Sequence, residues 1–300
     1  MLGAIRFAGT VILAAVALLI LLPFHLISVA IGGRSRMQVA RLWQRFACFL
    51  MGVRVTVTGA PARARALLLL ANHTSWLDIP VLASIAPVSF VAKKEVAGWP
   101  VVGFLAKAQR SVFVDRERRH STGAHADEVA GRLSTGDIIV LFAEGTSSDG
   151  NRVLPFRSAL VGAAQRAIEA GGAATVQPVA IAYRRMLGLP LGRQHRPFVA
   201  WYGGTNLLPH LKRVLSEGGV DVHVVFGPAR TLAARDDRKA VTREAGALVR
   251  RLVAALNAGR SPTEMLAAAL RQEPPPGTRH TQTQGFPLPG RGAESRNASG

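Results

Sequence analysis

The sequence predicts an α/β protein with a mixed, mostly parallel sheet flanked by helices, preceded by an N-terminal membrane-embedded helical segment. From "VRVTVTG" onward, short apolar runs alternate with helical patterns, which is typical of a sheet buried between helices. A long uncharged stretch lies before them. With 49% hydrophobic residues among 300, the chain can fill a large core and also contact a membrane.

The amino-terminal stretch predicts a membrane anchor. No charged residue occurs between Arg6 and Arg34, and Val11 to Ile31 would extend about 32 Å as a helix, near the thickness of a bilayer core. Pro23 and His25 interrupt this stretch, so it either spans the membrane or lies within one leaflet. Because most of the nearby arginines follow the stretch, we expect the catalytic part on the cytoplasmic side of the inner membrane.

The remaining chain divides into a helix, a catalytic domain and a tail. Met37 to Val53 alternates arginines with apolar residues, which suits either an interfacial amphipathic helix or a helix docked on the core. We therefore assign 1–53 to the anchor, 54–272 to the catalytic domain and 273–300, rich in Pro and Gly, to a disordered tail. The predicted strands are Arg54–Thr58, Ala66–Ala71, Val88–Ala92, Ser111–Val114, Ile138–Ala143, Thr175–Tyr183, Phe198–Tyr202 and Val220–Phe226. The predicted helices are Val101–Ala108, Gly123–Leu133, Ala159–Ala170, Leu207–Ser216 and Arg238–Leu256.

The charge predicts an anionic partner. Lysine and arginine number 37 against 18 acidic residues, a net charge of +19, which attracts anionic lipid surfaces or nucleic acid. The basic residues are spread along the chain and no aromatic-rich recognition motif accompanies them, so we expect a membrane surface and no nucleic acid. The single cysteine, Cys48, excludes an internal disulfide and is interpreted as a small apolar helix residue. The eight histidines show no metal-ligand pattern, and no metal is predicted.

An imidazole and a carboxylate lie five residues apart in "LLLLANHTSWLDIP". About 0.2 such spacings are expected by chance, so His73 and Asp78 alone are weak evidence. On one helix they would face different directions, but they can meet across a strand-to-helix turn, for which Asn72, Thr74 and Ser75 are suitable helix caps. The carboxylate would then hold one ring nitrogen and leave the other to accept a proton. The alternative is a capped helix with an incidental histidine.

Two further motifs place polar groups at strand ends. In "LFAEGTSSDG", Glu144, Gly145 and Thr146 follow an apolar run, at the strand end where α/β proteins usually bind ligands. The glycine allows a close approach to the backbone. Arg116 follows the strand "SVFV", where an arginine either clamps a phosphate or is simply solvated.

Taken together, "NHTSWLD", "VFVDR", "FAEGT" and "VQPVAI" resemble the four ordered sequence blocks of the glycerolipid acyltransferase family. The resemblance covers roughly Val53 to Val225 and makes a working His73 and Asp78 far more probable than a chance pair. It implies acyl transfer from acyl-CoA or an acyl-carrier protein, the co-substrate, to the free hydroxyl of a lysophospholipid, without a cofactor. The acyl-carrier protein is thus a possible partner.

The resemblance also implies roles for individual residues. His73 matches the family's general base and Asp78 the residue that orients it. The family positions that hold the acceptor's glycerol phosphate are matched by Arg116, Glu144, Gly145 and Thr146.

The third block departs from the family pattern. Ala143 stands where the family commonly has proline, and Ser147 where it has an arginine that binds phosphate. Arg152 or Arg157 in "NRVLPFRSAL", or the lysine pair in "VAKKEV", would have to compensate. The first expectation is acylation of 1-acylglycerol-3-phosphate to phosphatidic acid, and the alternative acceptor is lyso-ornithine lipid or a lysophosphodiester. A non-catalytic basic membrane-binding protein is a second alternative, whereas a hydrolase lacks its Gly-x-Ser-x-Gly motif.

Overall fold

A computed structural model provides the structure of the chain. It describes residues 1–31, 35–114, 122–158, 161–169, 174–233 and 235–271. The predicted tail, 273–300, therefore lies outside the described residues.

The core of the protein is a nine-stranded mixed sheet. The principal strand order is β1-β8-β6-β2-β5-β3-β4, and β7 and β9 also pair with β6. All neighbouring pairs on this path are parallel except β6 with β8. The strands are β1 (Val53–Thr58), β2 (Leu67–Ala71), β3 (Val88–Lys93), β4 (Val112–Val114), β5 (Ile138–Phe142), β6 (Ala174–Met186), β7 (Leu189–Pro190), β8 (Val220–Phe226) and β9 (Arg230–Leu232).

Helices cover both faces of this sheet. The helices are α1 (Leu2–Ile31), α2 (Ser35–Met51), α3 (Asp78–Ile85), α4 (Val102–Ala108), α5 (Thr122–Ser134), α6 (Gly162–Glu169), α7 (Leu207–Glu217), α8 (Arg238–Asn257) and α9 (Pro262–Arg271). Residues of β2 alternate between the two layers: Leu67 and Leu69 pack with α2, α3 and α7, whereas Leu68 and Leu70 pack with α5 and α8. The continuous run of leucines is explained by this burial on both faces, as expected for a central parallel strand.

The strand directions bring several chain segments to one edge. Because β2, β3, β5 and β6 run in the same direction, their carboxyl ends lie together, at what we call the carboxyl edge. Strands β1 and β8 run the opposite way, so they begin at this edge.

Helix α1 is apolar, and it is fixed to the domain on one side. Within Leu2–Ser28, an 18-residue stretch has a mean hydropathy of 2.6 and only 6% of it is buried. Among the described residues, α1 is therefore the one helix that is long and apolar enough to cross a membrane. Near its start, the Arg6 guanidinium donates hydrogen bonds to the carbonyls of Leu215 (2.9 Å) and Met51 (3.1 Å), which lie in the last turns of α7 and α2. A Cβ at Gly218 would lie only 1.9 Å from that guanidinium, so the contact requires glycine there.

Helix α2 docks on the core. Its buried side chains recur every three or four residues, and Arg41 Nε donates to the Ser84 carbonyl in α3 (3.2 Å). Leu42 and Phe49, on the other side, stay exposed. Cys48 is buried in this helix, as predicted.

The structure confirms the predicted fold class and seven of the eight predicted strands. The strand predicted at Phe198–Tyr202 is wrong, because the amides of Val199 and Ala200 donate back to Arg196 in a turn rather than to a neighbouring strand. A proline within a strand usually marks an edge strand or a bulge, but Pro178 lies in the interior strand β6, where the pairing changes from β9 to β8. Strands β7 and β9 and helix α9 were not predicted.

We predict that Arg6→Ala lowers the free energy of unfolding by about 1–3 kcal/mol, because two carbonyls at helix carboxyl ends lose their donor. Urea unfolding in detergent micelles measures the loss. Arg54→Ala is the control, since that side chain is exposed and its bond to Asp221 lies at the surface, where an ion pair contributes little to stability. An equal loss in both variants would contradict this account of how α1 is attached.

Candidate active site

The structure brings His73 and Asp78 together across the turn between β2 and α3. Strand β2 ends at Ala71, and Asp78 is the first residue of α3. The His73 Nδ1 lies 2.8 Å from the Asp78 Oδ2. The histidine side chain keeps 17% of its surface exposed, whereas the carboxylate is fully buried.

Asp78 also organises the turn itself. Its Oδ2 accepts hydrogen bonds from the backbone amides of Thr74 (2.7 Å) and Ser75 (3.0 Å). The capping predicted for the Thr74 and Ser75 side chains is therefore wrong: the helix begins after Leu77 without a side-chain cap, and the carboxylate satisfies the free amides instead. Asn72 likewise serves another element, since its amide group exchanges hydrogen bonds with the backbone of Ile181 in β6.

Tyr183 is a site residue that the sequence analysis missed. Its hydroxyl donates to the other oxygen of Asp78, Oδ1, at 2.6 Å. The residue is only 3% exposed, and burial together with the negative charge of Asp78 raises the pKa of the phenol well above its usual value. The sequence contained one indication of this role. Tyr183 lies near the end of the apolar run "VQPVAIAYR", and the strand formed by this run ends at the carboxyl edge.

The His73 ring is held from several sides. It stacks on Phe142, the last residue of β5, with ring centroids 4.0 Å apart and planes 17° apart. The His73 carbonyl accepts hydrogen bonds from the Ser148 amide (2.9 Å) and hydroxyl (3.2 Å). The imidazole therefore has a fixed position between Asp78 and the loop after β5.

Glu144 connects two loops through its carboxyl group. Its Oε1 accepts from the His73 amide (2.9 Å) and its Oε2 from the Leu154 amide (3.0 Å), and the residue is 1% exposed. Burial raises the pKa of this carboxyl to about 7, while the two backbone hydrogen bonds oppose the shift.

The turn after Glu144 contains the other residues of the predicted third block. Gly145 has φ +75°, and a Cβ there would come within 3.1 Å of the Arg157 side chain, which lies directly against it. Thr146 is exposed at the turn. The Ser147 hydroxyl donates to the Trp201 carbonyl (2.5 Å), and the Trp201 amide donates to the Thr74 carbonyl (2.9 Å), so this loop is bonded to the His73 turn.

The remaining predicted residues lie at different distances from the His73 turn along the chain, and one of them is not described. Arg152 is exposed on the loop that follows. Lys93 ends β3 at the carboxyl edge, and Lys94 begins the 3₁₀ turn Lys94–Gly98. Arg116 lies outside the described residues. Within the described ranges, no three His, Cys, Asp or Glu residues form a group able to hold a metal ion.

Comparisons with known proteins give one consistent family. A family model described as Acyltransferase matches residues 54–182. A lyso-ornithine lipid O-acyltransferase of Rhizobium meliloti is 43% identical over 278 residues, 92% of this chain and 94% of that protein. One of Brucella abortus with the same name is 47% identical over 263 residues, 87% and 98% of the two chains. A 1-acyl-sn-glycerol-3-phosphate acyltransferase of Neisseria meningitidis is 33% identical over 195 residues, 65% and 72% of the two chains.

A solved structure shares the fold. The crystal structure of the 1-acyl-sn-glycerophosphate acyltransferase of Thermotoga maritima has a TM-score of 0.63 and 20% identity. The match covers 86% of this chain and 98% of that one. The fold extends beyond the segment that carries the sequence motifs.

We predict that Glu144 makes stability fall as pH rises. Between about pH 4.5 and 7 the unfolded chain loses the Glu144 proton while the folded protein retains it, so unfolding becomes easier by up to about 3 kcal/mol across this window. Glu144→Gln removes the titration, although its amide leaves one backbone donor without an acceptor at every pH.

The measurement is urea unfolding of both proteins in detergent at pH 4.5 and pH 7.5. The wild type should lose more stability between these values than the Gln variant. If the difference between the two proteins is the same at both pH values, the buried carboxyl does not titrate in this window.

Proposed function

Because this chain belongs to the glycerolipid acyltransferase family and is an acyltransferase of lysolipids, we propose that its acceptor is lyso-ornithine lipid. The two relatives of that name align over most of the chain, whereas the glycerol-phosphate relative from Neisseria aligns over a shorter part with lower identity. The acceptor that the sequence analysis placed second is thereby favoured over 1-acylglycerol-3-phosphate, which becomes the second candidate.

The position of Ser147 is the observation that carries this proposal. It occupies the place where the family pattern has an arginine, and its hydroxyl is used in the bond to Trp201. A bidentate phosphate ligand is therefore missing from the turn next to His73. An ornithine head group has a carboxylate and an ammonium group but no phosphate, so its binding does not require that arginine.

Arg157 is the candidate for holding the acceptor's carboxylate. Its side chain lies against Gly145, at the strand end next to the His73 turn, and its backbone amide donates to the Ala143 carbonyl (2.7 Å), which fixes the start of the side chain. A guanidinium pairs with a carboxylate through two parallel hydrogen bonds. Arg116, which the family resemblance assigns to acceptor binding, is the second candidate for pairing with this carboxylate.

The His73–Asp78 pair supplies general-base catalysis. With its Nδ1–H donating a hydrogen bond to Asp78, the ring offers the Nε2 lone pair to the acceptor hydroxyl. As Nε2 takes the proton, the hydroxyl oxygen attacks the thioester carbonyl and the C–O bond forms. The tetrahedral intermediate then collapses, the C–S bond breaks, and the leaving thiolate takes the proton from His73. Asp78 stabilises the imidazolium between these steps.

Tyr183 and the backbone amides keep Asp78 in its position. Four donors converge on the carboxylate, from His73, Thr74, Ser75 and Tyr183, so neither oxygen is free to turn away from the ring. The thioester donor is acyl-CoA or acyl-carrier protein, and no metal or cofactor takes part in these steps.

The reaction takes place at the membrane. The exposed apolar surface of α1 supports attachment to a membrane, and the arginines after the apolar stretch favour the cytoplasmic side for the catalytic domain. Because a lysolipid is itself an amphiphile, an anchored enzyme meets it in the bilayer surface.

We predict that His73→Ala reduces turnover by about 10²- to 10⁴-fold, since the general base is lost. Asp78→Asn should be similarly severe. Tyr183→Phe should reduce turnover by only about tenfold, because one of the four donors to Asp78 is lost while the base remains. Turnover is measured with a radiolabelled acyl thioester and protein purified in detergent, and circular dichroism checks folding. Near-normal turnover of a folded His73→Ala variant would contradict the mechanism.

A panel of lysolipids tests the acceptor. The wild-type protein should acylate lyso-ornithine lipid faster than 1-acylglycerol-3-phosphate. Arg157→Ala should raise the KM for lyso-ornithine lipid by about tenfold and leave the KM for the thioester unchanged, because a charge-assisted contact to the head group is lost. Arg250→Ala is the control, since this exposed arginine belongs to α8, which packs on the face of the sheet opposite to α3. If phosphatidic acid is the main product, 1-acylglycerol-3-phosphate is the acceptor instead.

A further inference from the structure

An exposed valine forms the tip of a strained turn before α4. Val101 has φ 59° and ψ −56°, and the Val102 amide donates to the Pro100 carbonyl at 2.6 Å, which defines a γ-turn of the rare, strained kind. The Val101 side chain is 64% exposed. A β-branched residue is among the least suited to positive φ, and water gives its side chain no compensating contact.

An exposed leucine forms a similar tip between β6 and β7. Leu187 has φ 52° and is 64% exposed, and its neighbour Leu189 is 72% exposed. The Leu187 amide donates to the Gly219 carbonyl at 2.7 Å, so the turn has a fixed position. Glycine or asparagine would fit this backbone better, yet the chain presents leucine.

Both tips lie at the carboxyl edge, on either side of His73. Strand β6 leads to Leu187, and β3 leads towards Val101. Strand β2, which ends just before His73, lies between β6 and β3 in the sheet. The active-site histidine and the two tips therefore occur along one edge.

Helix α1 extends between the two tips. At its start, Arg6 lies beside Gly52, which is close to Gly219, and the Gly219 carbonyl accepts the hydrogen bond that holds the Leu187 turn. Farther along, Leu18 and His25 line the same cavity as Phe104 of α4, one turn after Val101. Helix α1 therefore runs from the neighbourhood of the Leu187 turn to that of α4, which follows the Val101 turn.

The charges beside the tips are mostly positive. The segment from Arg184 to Arg196 contains four arginines and no acidic residue, and Lys93 to Lys107 contains three lysines and one glutamate. Trp99, 37% exposed, stands next to the γ-turn, as a tryptophan does at a membrane interface. Apolar tips with cations behind them fit an anionic bilayer surface better than a protein partner.

We propose that the Val101 and Leu187 turns insert into the bilayer on either side of α1, so that the carboxyl edge with His73 faces the membrane. This inference rests on the membrane attachment given under the proposed function. Insertion buries both aliphatic side chains and offsets the unfavourable backbone geometry. The two tips and α1 then fix the tilt of the domain as three contacts fix a plane.

Site-directed spin labelling tests the insertion directly. Single cysteines replace Val101, Leu187 or Val57 in the full chain, in a Cys48→Ala background, in vesicles of phosphatidylethanolamine and phosphatidylglycerol. Val57 is the control, since it is 40% exposed near the end of β1, at the opposite edge of the sheet. Labels at 101 and 187 should be accessible to oxygen and protected from a water-soluble nickel chelate, and the label at 57 should show the reverse. Equal nickel access at all three positions would overturn the proposal.

A double variant, Val101→Asn with Leu187→Asn, tests whether insertion of the two tips is needed for turnover at a membrane. Asparagine tolerates positive φ, so unfolding in detergent should occur at the same or a higher urea concentration than in the wild type. Turnover of a long-chain lysolipid in vesicles should fall about tenfold, because two apolar contacts with lipid are lost. Turnover of a short-chain lysolipid in detergent should stay unchanged.

Unchanged turnover in vesicles, or an equal loss in detergent, would count against the proposal. The labelling experiment needs no catalysis, so its result is independent of the acceptor and of the acyl-transfer mechanism.

Discussion

The carboxylate of Asp78 is the interaction on which the site depends. It is fully buried and receives hydrogen bonds from a ring nitrogen, two backbone amides and a phenol. A buried carboxylate is unfavourable unless its oxygens are satisfied, and here the groups that satisfy it are those that form the turn and aim His73. Stability and geometry are thus secured by the same four bonds.

A second buried carboxyl, Glu144, fixes the turn from the other side. It connects the His73 amide to the Leu154 amide, while the ring itself rests on Phe142. The family resemblance gives the acidic residue of the third block a role in holding substrate, and in the structure its carboxyl also supports the loops around His73. In the same loop Ser147 is bonded to Trp201, so the substrate-facing surface of this turn differs from that of an enzyme with arginine there.

The sheet topology places His73 and the two turns proposed to contact the membrane at the same edge. Strand β6 continues past the other strands and turns back at Leu187, and β3 leads towards the Val101 turn. The two apolar tips therefore lie on either side of His73, which follows β2 at the same edge. An enzyme whose acceptor lies in a bilayer benefits from this arrangement, because the substrate need not leave the lipid surface to reach the base.

The sequence by itself determined the apolar amino-terminal helix, the α/β class and the family, because hydrophobic periodicity and ordered motifs are local properties of the chain. It also placed His73 and Asp78 on either side of a turn, since the sequence pattern predicted both the strand before the turn and the helix after it. Only the tertiary structure brought Tyr183, which is 105 residues away, to Asp78, and only it turned Glu144 into a loop support. The false strand at Phe198–Tyr202 has the same cause: an apolar run shows that a segment is buried, but whether its amides bond to a strand or to a turn depends on residues distant in the chain.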